Sequence, residues 1–139
     1  MKMIIRILPF LYMGLIWFLS GMPSDAVVAL PDSEVDRFWK ESMHLIEFAI
    51  LYFLLVLAFL TGGNFTKKLN ITLAAIAALY GVTDEIHQSF IPARSSSLID
   101  VAKDWIGVAV SYYLVYQARF GGRFKLLASF LKRIENIKK

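Results

Sequence analysis

Four apolar runs, set apart by more polar stretches, leave this chain few ways to fold. They cover residues 4–20, broken only by Arg6 and Pro9; 45–61, interrupted by Glu47; 69–82, reaching His87 if its polar end is counted; and 105–120. Each approaches the roughly 20 residues that cross about 30 Å of hydrocarbon. No water reaches the bilayer core to bond exposed backbone groups, so each run must pair its own N–H and C=O groups, as a helix does. The expected fold is an all-α membrane protein, a four-helix transmembrane bundle. Composition agrees: the chain is 58% hydrophobic and 19% charged, against roughly 45–50% and about 25% in soluble domains. It has no Cys, hence no disulfide framework, thiolate metal site or cysteine nucleophile.

The 139 residues suit one domain, expected over residues 1–122 with a basic tail at 123–139. Residues 4–20 follow a basic start, as a secretory leader would. No clear small-x-small cleavage site follows in residues 21–25, so a retained span is expected.

Lys and Arg fix the expected orientation. Eleven of the 15 lie at the start of the first run or before it, between the second and third, or at the end of the fourth and beyond it. The other four are Arg37, Lys40, Arg94 and Lys103. Both termini are therefore expected in the cytoplasm, with loops 21–43 and 88–104 outside. The first outer loop is acidic, and residues 25–36, which include Pro31, read as irregular; residues 37–43 are expected to open the second helix. In the tail, Phe124, Leu127, Leu131 and Ile134 recur at helical spacing beside basic residues, after a Gly121-Gly122 break. That pattern predicts an amphipathic interfacial helix on the inner leaflet, with membrane lipids rather than nucleic acid as its partner.

The polar residues gather at the outer ends of three runs. Lys40, His44 and Glu47 share one face of the second helix at i, i+4 and i+3 spacing. Asp84, with His87 or Gln88, forms a stripe on the third, and Glu85 sits about 100° around from Asp84. Asp100, Asp104, Gly107 and Ser111 align on the fourth. At 1.5 Å per residue, Asp84 is roughly 22 Å above Leu69, in the outer quarter of the bilayer. Arg94 is expected to fold back over the cluster, so that it and Lys40 offset part of the negative charge. Ionisable groups in such a place are costly and by default functional. Asp84, Glu85, His87 and His44 are the candidate acid–base residues; Lys40, Glu47, Gln88, Arg94, Asp100 and Asp104 are the candidate binding residues. No standard metal motif such as His-Glu-x-x-His is present. No cofactor is expected, a divalent cation on the two His and nearby carboxylates being the alternative. Tyr12, Trp17, Phe18, Trp39, Trp105, Tyr112 and Tyr113 read as interfacial or lipid-facing aromatics, and Gly81 and Gly107 as helix-packing contacts.

The spacing Lys40-x3-His44-x2-Glu47, then Asp84-Glu85-x-His87-Gln88-x-Phe90-x-Pro92-x-Arg94, then Asp100-x3-Asp104-x2-Gly107 resembles that of the VanZ-like membrane proteins. Ser20-Gly21-Met22-Pro23 is similar to the family's short Ser/Pro motif after its first span. The resemblance covers about residues 9–118. The chain departs from the family pattern at Ala93 (commonly Gly), Gly21 (often Ser) and Phe48 (often Tyr). What the resemblance implies is a several-span membrane protein with no established reaction. The family takes its name from a glycopeptide-resistance cluster whose VanZ member gives teicoplanin resistance.

Three functional readings follow. A lipid-modifying enzyme would use Arg94 and Lys40 to hold an anionic headgroup, with Asp84 or Glu85 as base and His87 or His44 as acid. An accessory protein would bind a lipid-linked cell-wall precursor or a glycopeptide without catalysis, its polar cluster being a structural ion-pair network. A proton or ion pathway ranks last, because no charged residue lies deep in the cytoplasmic half of any run.

Overall fold

Asp32 decides where the second helix begins. Its carboxylate accepts from the backbone N–H groups of Glu34 and Val35, and Glu34 and Asp36 add negative charge in the first turn. In the computed structural model, which describes residues 1–23, 26, 29–92, 94 and 96–137, the helices are α1 (Lys2–Ser20), α2 (Ser33–Leu60), α3 (Lys67–Ser89), α4 (Leu98–Arg119) and α5 (Lys125–Glu135). The described residues form no strand. Ser24, Asp25, Ala93, Lys138 and Lys139, which enter the sequence reading above, lie outside the described residues.

Two starts differ from expectation. Helix α2 opens at Ser33 rather than near Arg37, because Asp32 caps it. Helix α4 opens at Leu98, within the expected outer loop, because Ser97 Oγ accepts from Asp100 N–H. The loop between α3 and α4 is correspondingly short. Thr66 caps α3 in the same manner.

Helices α1, α2 and α3 are long and apolar enough to cross a membrane. Helix α4 is long enough, at 22 residues, but Asp100, Lys103, Asp104 and its tyrosines dilute its apolar character. The molecule is inverted in polarity. Phe10, Leu11, Ile71 and Leu79 are exposed, while Asn70, Asp84, Gln88 and Asp104 are buried. Such an exterior suits hydrocarbon rather than water.

Helix α2 is central and packs on α1, α3, α4 and α5. It supplies Phe48, Leu51, Tyr52, Leu55 and Val56 to a core that also takes Ile16, Leu73, Ala77, Val108, Val115 and Leu131. Gly107 lets α4 lie directly against the backbone of α2 at Leu45. The short helix α5 turns back on α2 and α4, with Leu131 buried, Phe130 stacked on Phe53, and Arg119 2.7 Å from Glu135.

One core hydrogen bond is polar on both sides: Tyr52 Oη donates to Asn70 Oδ1 at 2.5 Å, and both residues are fully buried. Tyr52→Phe would leave that oxygen unpaired. It is expected to cost about 1–3 kcal/mol, read as a lower unfolding midpoint in detergent; an unchanged midpoint would refute the assignment.

Candidate functional site

The polar ends of α2, α3 and α4 meet at the end of the bundle where α1 finishes at Ser20, and they form three connected parts. The first is a cavity of about 750 Å³. Its wall includes apolar groups from Leu15, Ile16, Leu19, Met43, Ile46, Ile50 and Ile99, cations from Arg37, Lys40, Arg94 and Lys103, and the polar groups of His44, Glu47, Gln88 and Asp100. Lys40 Nζ lies 2.6 Å from Asp36. Lys103 Nζ lies 3.4 Å from Asp100 and 3.5 Å from Glu41. The Asp100 carboxylate also meets Ser97 Oγ at 2.8 Å, so it belongs to the rim and to the start of α4.

The second part lies behind that wall. His44 of α2, Glu85 of α3 and Asp104 of α4 converge, with His44 Nδ1 3.4 Å from Asp104 Oδ1 and 3.8 Å from Glu85 Oε1. Glu85 also accepts from Ser97 N–H across the loop. Asp84 is fully buried, and its Oδ2 accepts from Gln88 Nε2 at 2.6 Å. Gly81 makes room for this group: a Cβ there would sit 3.2 Å from the Asp104 carboxylate.

The third part ties α3 to α1. Gln88 Oε1 accepts from Arg94 Nε at 3.0 Å. Arg94 Nη1 then donates to the carbonyls of Leu19 and Met22, at 3.2 and 2.8 Å. The guanidinium therefore satisfies carbonyl oxygens at the end of α1, and its hydrogen bonds run to these and to Gln88. His87 Nδ1 is 3.1 Å from Ser20 Oγ, and its ring stacks on Trp17 at 3.9 Å.

The structure thus divides the candidate residues. Lys40, Glu47, Gln88, Arg94 and Asp100 line the cavity, and His44 joins them while also meeting Glu85 and Asp104. Asp84 is buried beside them, whereas His87 sits at the seam with α1. Several positions were given no site role by sequence reasoning. Tyr12 lines the cavity, Trp17 covers His87, and Trp105 donates from Nε1 to Ala78 O rather than simply facing outward. Ser20 and Met22 of the Ser/Pro motif form the dock for His87 and Arg94. The position of that motif directly after the first span was the available signal.

The arrangement sets apolar and charged groups side by side in one cavity and brings the His44 imidazole close to two carboxylates. No curated protein and no solved structure matches the chain. The family described as VanZ/LLP1 matches it over residues 4–120, nearly the whole of the bundle just described, and the chain belongs to that family.

Proposed function

We propose that this is a four-span membrane protein, both termini cytoplasmic, which binds an anionic lipid-linked headgroup in the cavity at its outer-leaflet end. The cavity wall carries the proposal: it sets an apolar side beside four cations, partly offset by Asp36, Glu41, Glu47 and Asp100, as a charged headgroup on an acyl or isoprenyl chain requires. Its volume falls within the about 300–1,000 Å³ of small-molecule sites. The excess of Lys and Arg at the opposite end supports the orientation. The packing of α4 between α2 and α3 supports its role as the fourth span. The apolar face and basic residues of α5 support a tail lying at the inner leaflet.

A lipid-linked cell-wall precursor carries a headgroup of this kind. Sequestering or altering it is the route by which the chain would contribute to teicoplanin resistance. His44, lying between the cavity and Glu85 and Asp104, is the proposed proton-transfer group should a bond be broken. A purely accessory reading draws support from the rim, where Lys40 pairs with Asp36, and Lys103 with Asp100 and Glu41.

The test is lipid binding to the full-length protein in detergent. A polyprenyl phosphate is expected to bind in preference to phosphatidylcholine. Lys40→Gln combined with Lys103→Gln is expected to weaken it at least about tenfold, or about 1.4 kcal/mol. Equal binding of the two lipids would defeat the proposal. In cells, Asp84→Asn separates the roles: a lost phenotype with retained lipid binding assigns acid–base work, and a retained phenotype assigns binding alone.

A further inference from the structure

The convergence of His44, Glu85 and Asp104 leaves polar atoms in a state that protein groups alone do not resolve. Each residue offers one ligand atom, and all three atoms lie within 4.8 Å of one another. His44 Nδ1, Glu85 Oε1 and both carboxylate oxygens of Asp104 have no hydrogen-bond partner among the described residues, and neither has Asp84 Oδ1. Asp104 and Asp84 are fully buried, and Glu85 is 5% exposed. Buried carboxylates in this condition are expensive unless something positive or protic stands between them.

Three features point to a metal ion. The atoms converge on a common point from three different helices, so the gap is built by the fold rather than by one flexible loop. Ligand atoms about 2.0–2.2 Å from a shared cation lie about 3–3.5 Å apart; the two separations from His44 are 3.4 and 3.8 Å and the third is within 4.8 Å, so the three atoms would draw together around an ion. Two carboxylates and a neutral imidazole also balance a divalent charge, which suits a buried place. We propose that His44, Glu85 and Asp104 together bind one first-row divalent cation. One imidazole with two carboxylates suits Zn²⁺, Fe²⁺ or Mn²⁺. His44 also lines the cavity, so the cation has an open side toward it, as catalytic metal sites with three protein ligands do. The ligands sit on separate helices, which is why no short sequence motif announces them.

The rival is a set of shared protons, and the two differ in metal uptake. Full-length protein in detergent, stripped with a chelator and desalted, is titrated with Co²⁺ while its visible d–d absorption is followed. One Co²⁺ per chain is expected, saturating in the micromolar range. The isosteric variants Glu85→Gln and Asp104→Asn each remove a direct ligand and should lose more than the about 10–100-fold in affinity that follows loss of an outer-shell partner. Glu34→Gln, an exposed carboxylate outside the cavity wall, should bind as the parent does. No uptake by folded protein, or uptake indifferent to both isosteric changes, overturns the proposal. Should those variants not fold, spin-echo modulation from Mn²⁺ bound to the parent protein decides. A directly coordinated nitrogen supports the site, and an all-oxygen environment refutes it. No lipid is added, so failure here leaves headgroup binding standing, and failure of headgroup binding leaves this site standing.

Discussion

Arg94→Ala is expected to lower the unfolding free energy by about 2–4 kcal/mol, because hydrogen bonds made by a charged group contribute about 1.5–3 kcal/mol and their loss leaves part-buried acceptors without this partner. Three bonds disappear together: those to the carbonyls of Leu19 and Met22 and that to Gln88. Gln88 holds Asp84, so the effect passes from the loop into the buried cluster. Arg94→Lys should recover only part of the loss. One ammonium cannot reproduce the spread of a guanidinium that serves two carbonyls with one nitrogen and an amide oxygen with another. Chemical unfolding in detergent gives the free energies, and the distance between spin labels at Phe18 and Ile86 reports whether α1 has parted from α3. An Arg94→Ala protein with the parent's stability and label distance would remove the guanidinium from the architecture.

The second large effect belongs to Gly107. A Cβ at that position would overlap the backbone carbonyl of Leu45, which has no rotamer by which to move away. Gly107→Ala must therefore push α4 off α2, the pair that forms the middle of the bundle. The expected loss is at the upper end of the about 1–3 kcal/mol seen for overpacking, and Gly107→Leu should yield no folded protein. Gly81→Ala offers an internal comparison. Its new methyl meets a side chain at 3.2 Å rather than a main chain, so it should cost less. If Gly107→Ala unfolds at the parent's midpoint, the close approach of the two helices is not a constraint on the fold.

Both predictions rest on features that differed in how far the sequence revealed them. The apolar runs are legible because hydrocarbon permits so few backbone arrangements: those at residues 4–20 and 69–82 lie within α1 and α3, and that at 45–61 lies within α2 but for Thr61, which follows its last residue. The gathering of Lys40, His44, Glu47, Asp84, Glu85, Gln88, Asp100 and Asp104 at one end is legible from i, i+3 and i+4 spacing. Which carboxylate meets His44 is not, because that depends on how far each helix is rotated about its axis. Arg94 was expected over the carboxylates, but its acceptors at the end of α1 are main-chain oxygens, which no side-chain pattern can announce. The helix starts at Ser33 and Leu98 were recoverable in principle: Asp32 and Ser97 are good caps, yet each stood in a stretch whose charge suggested a loop.

The first helix has a distinctive attachment. Of its 19 residues only Pro9, Ile16 and Ser20 are buried. Yet Arg6 donates to Thr61 Oγ1 and to the Thr61 carbonyl at one tip, at 2.8 and 3.3 Å, while Arg94 and His87 engage the other. Midway, Tyr80 Oη bonds Met13 O. This helix behaves as a strap buckled by polar contacts over a body held by apolar packing. Ile16 joins the apolar core, and Tyr12, Leu15, Ile16 and Leu19 of the same helix line the cavity. The same few polar contacts therefore hold the first helix in place and give the cavity one of its sides.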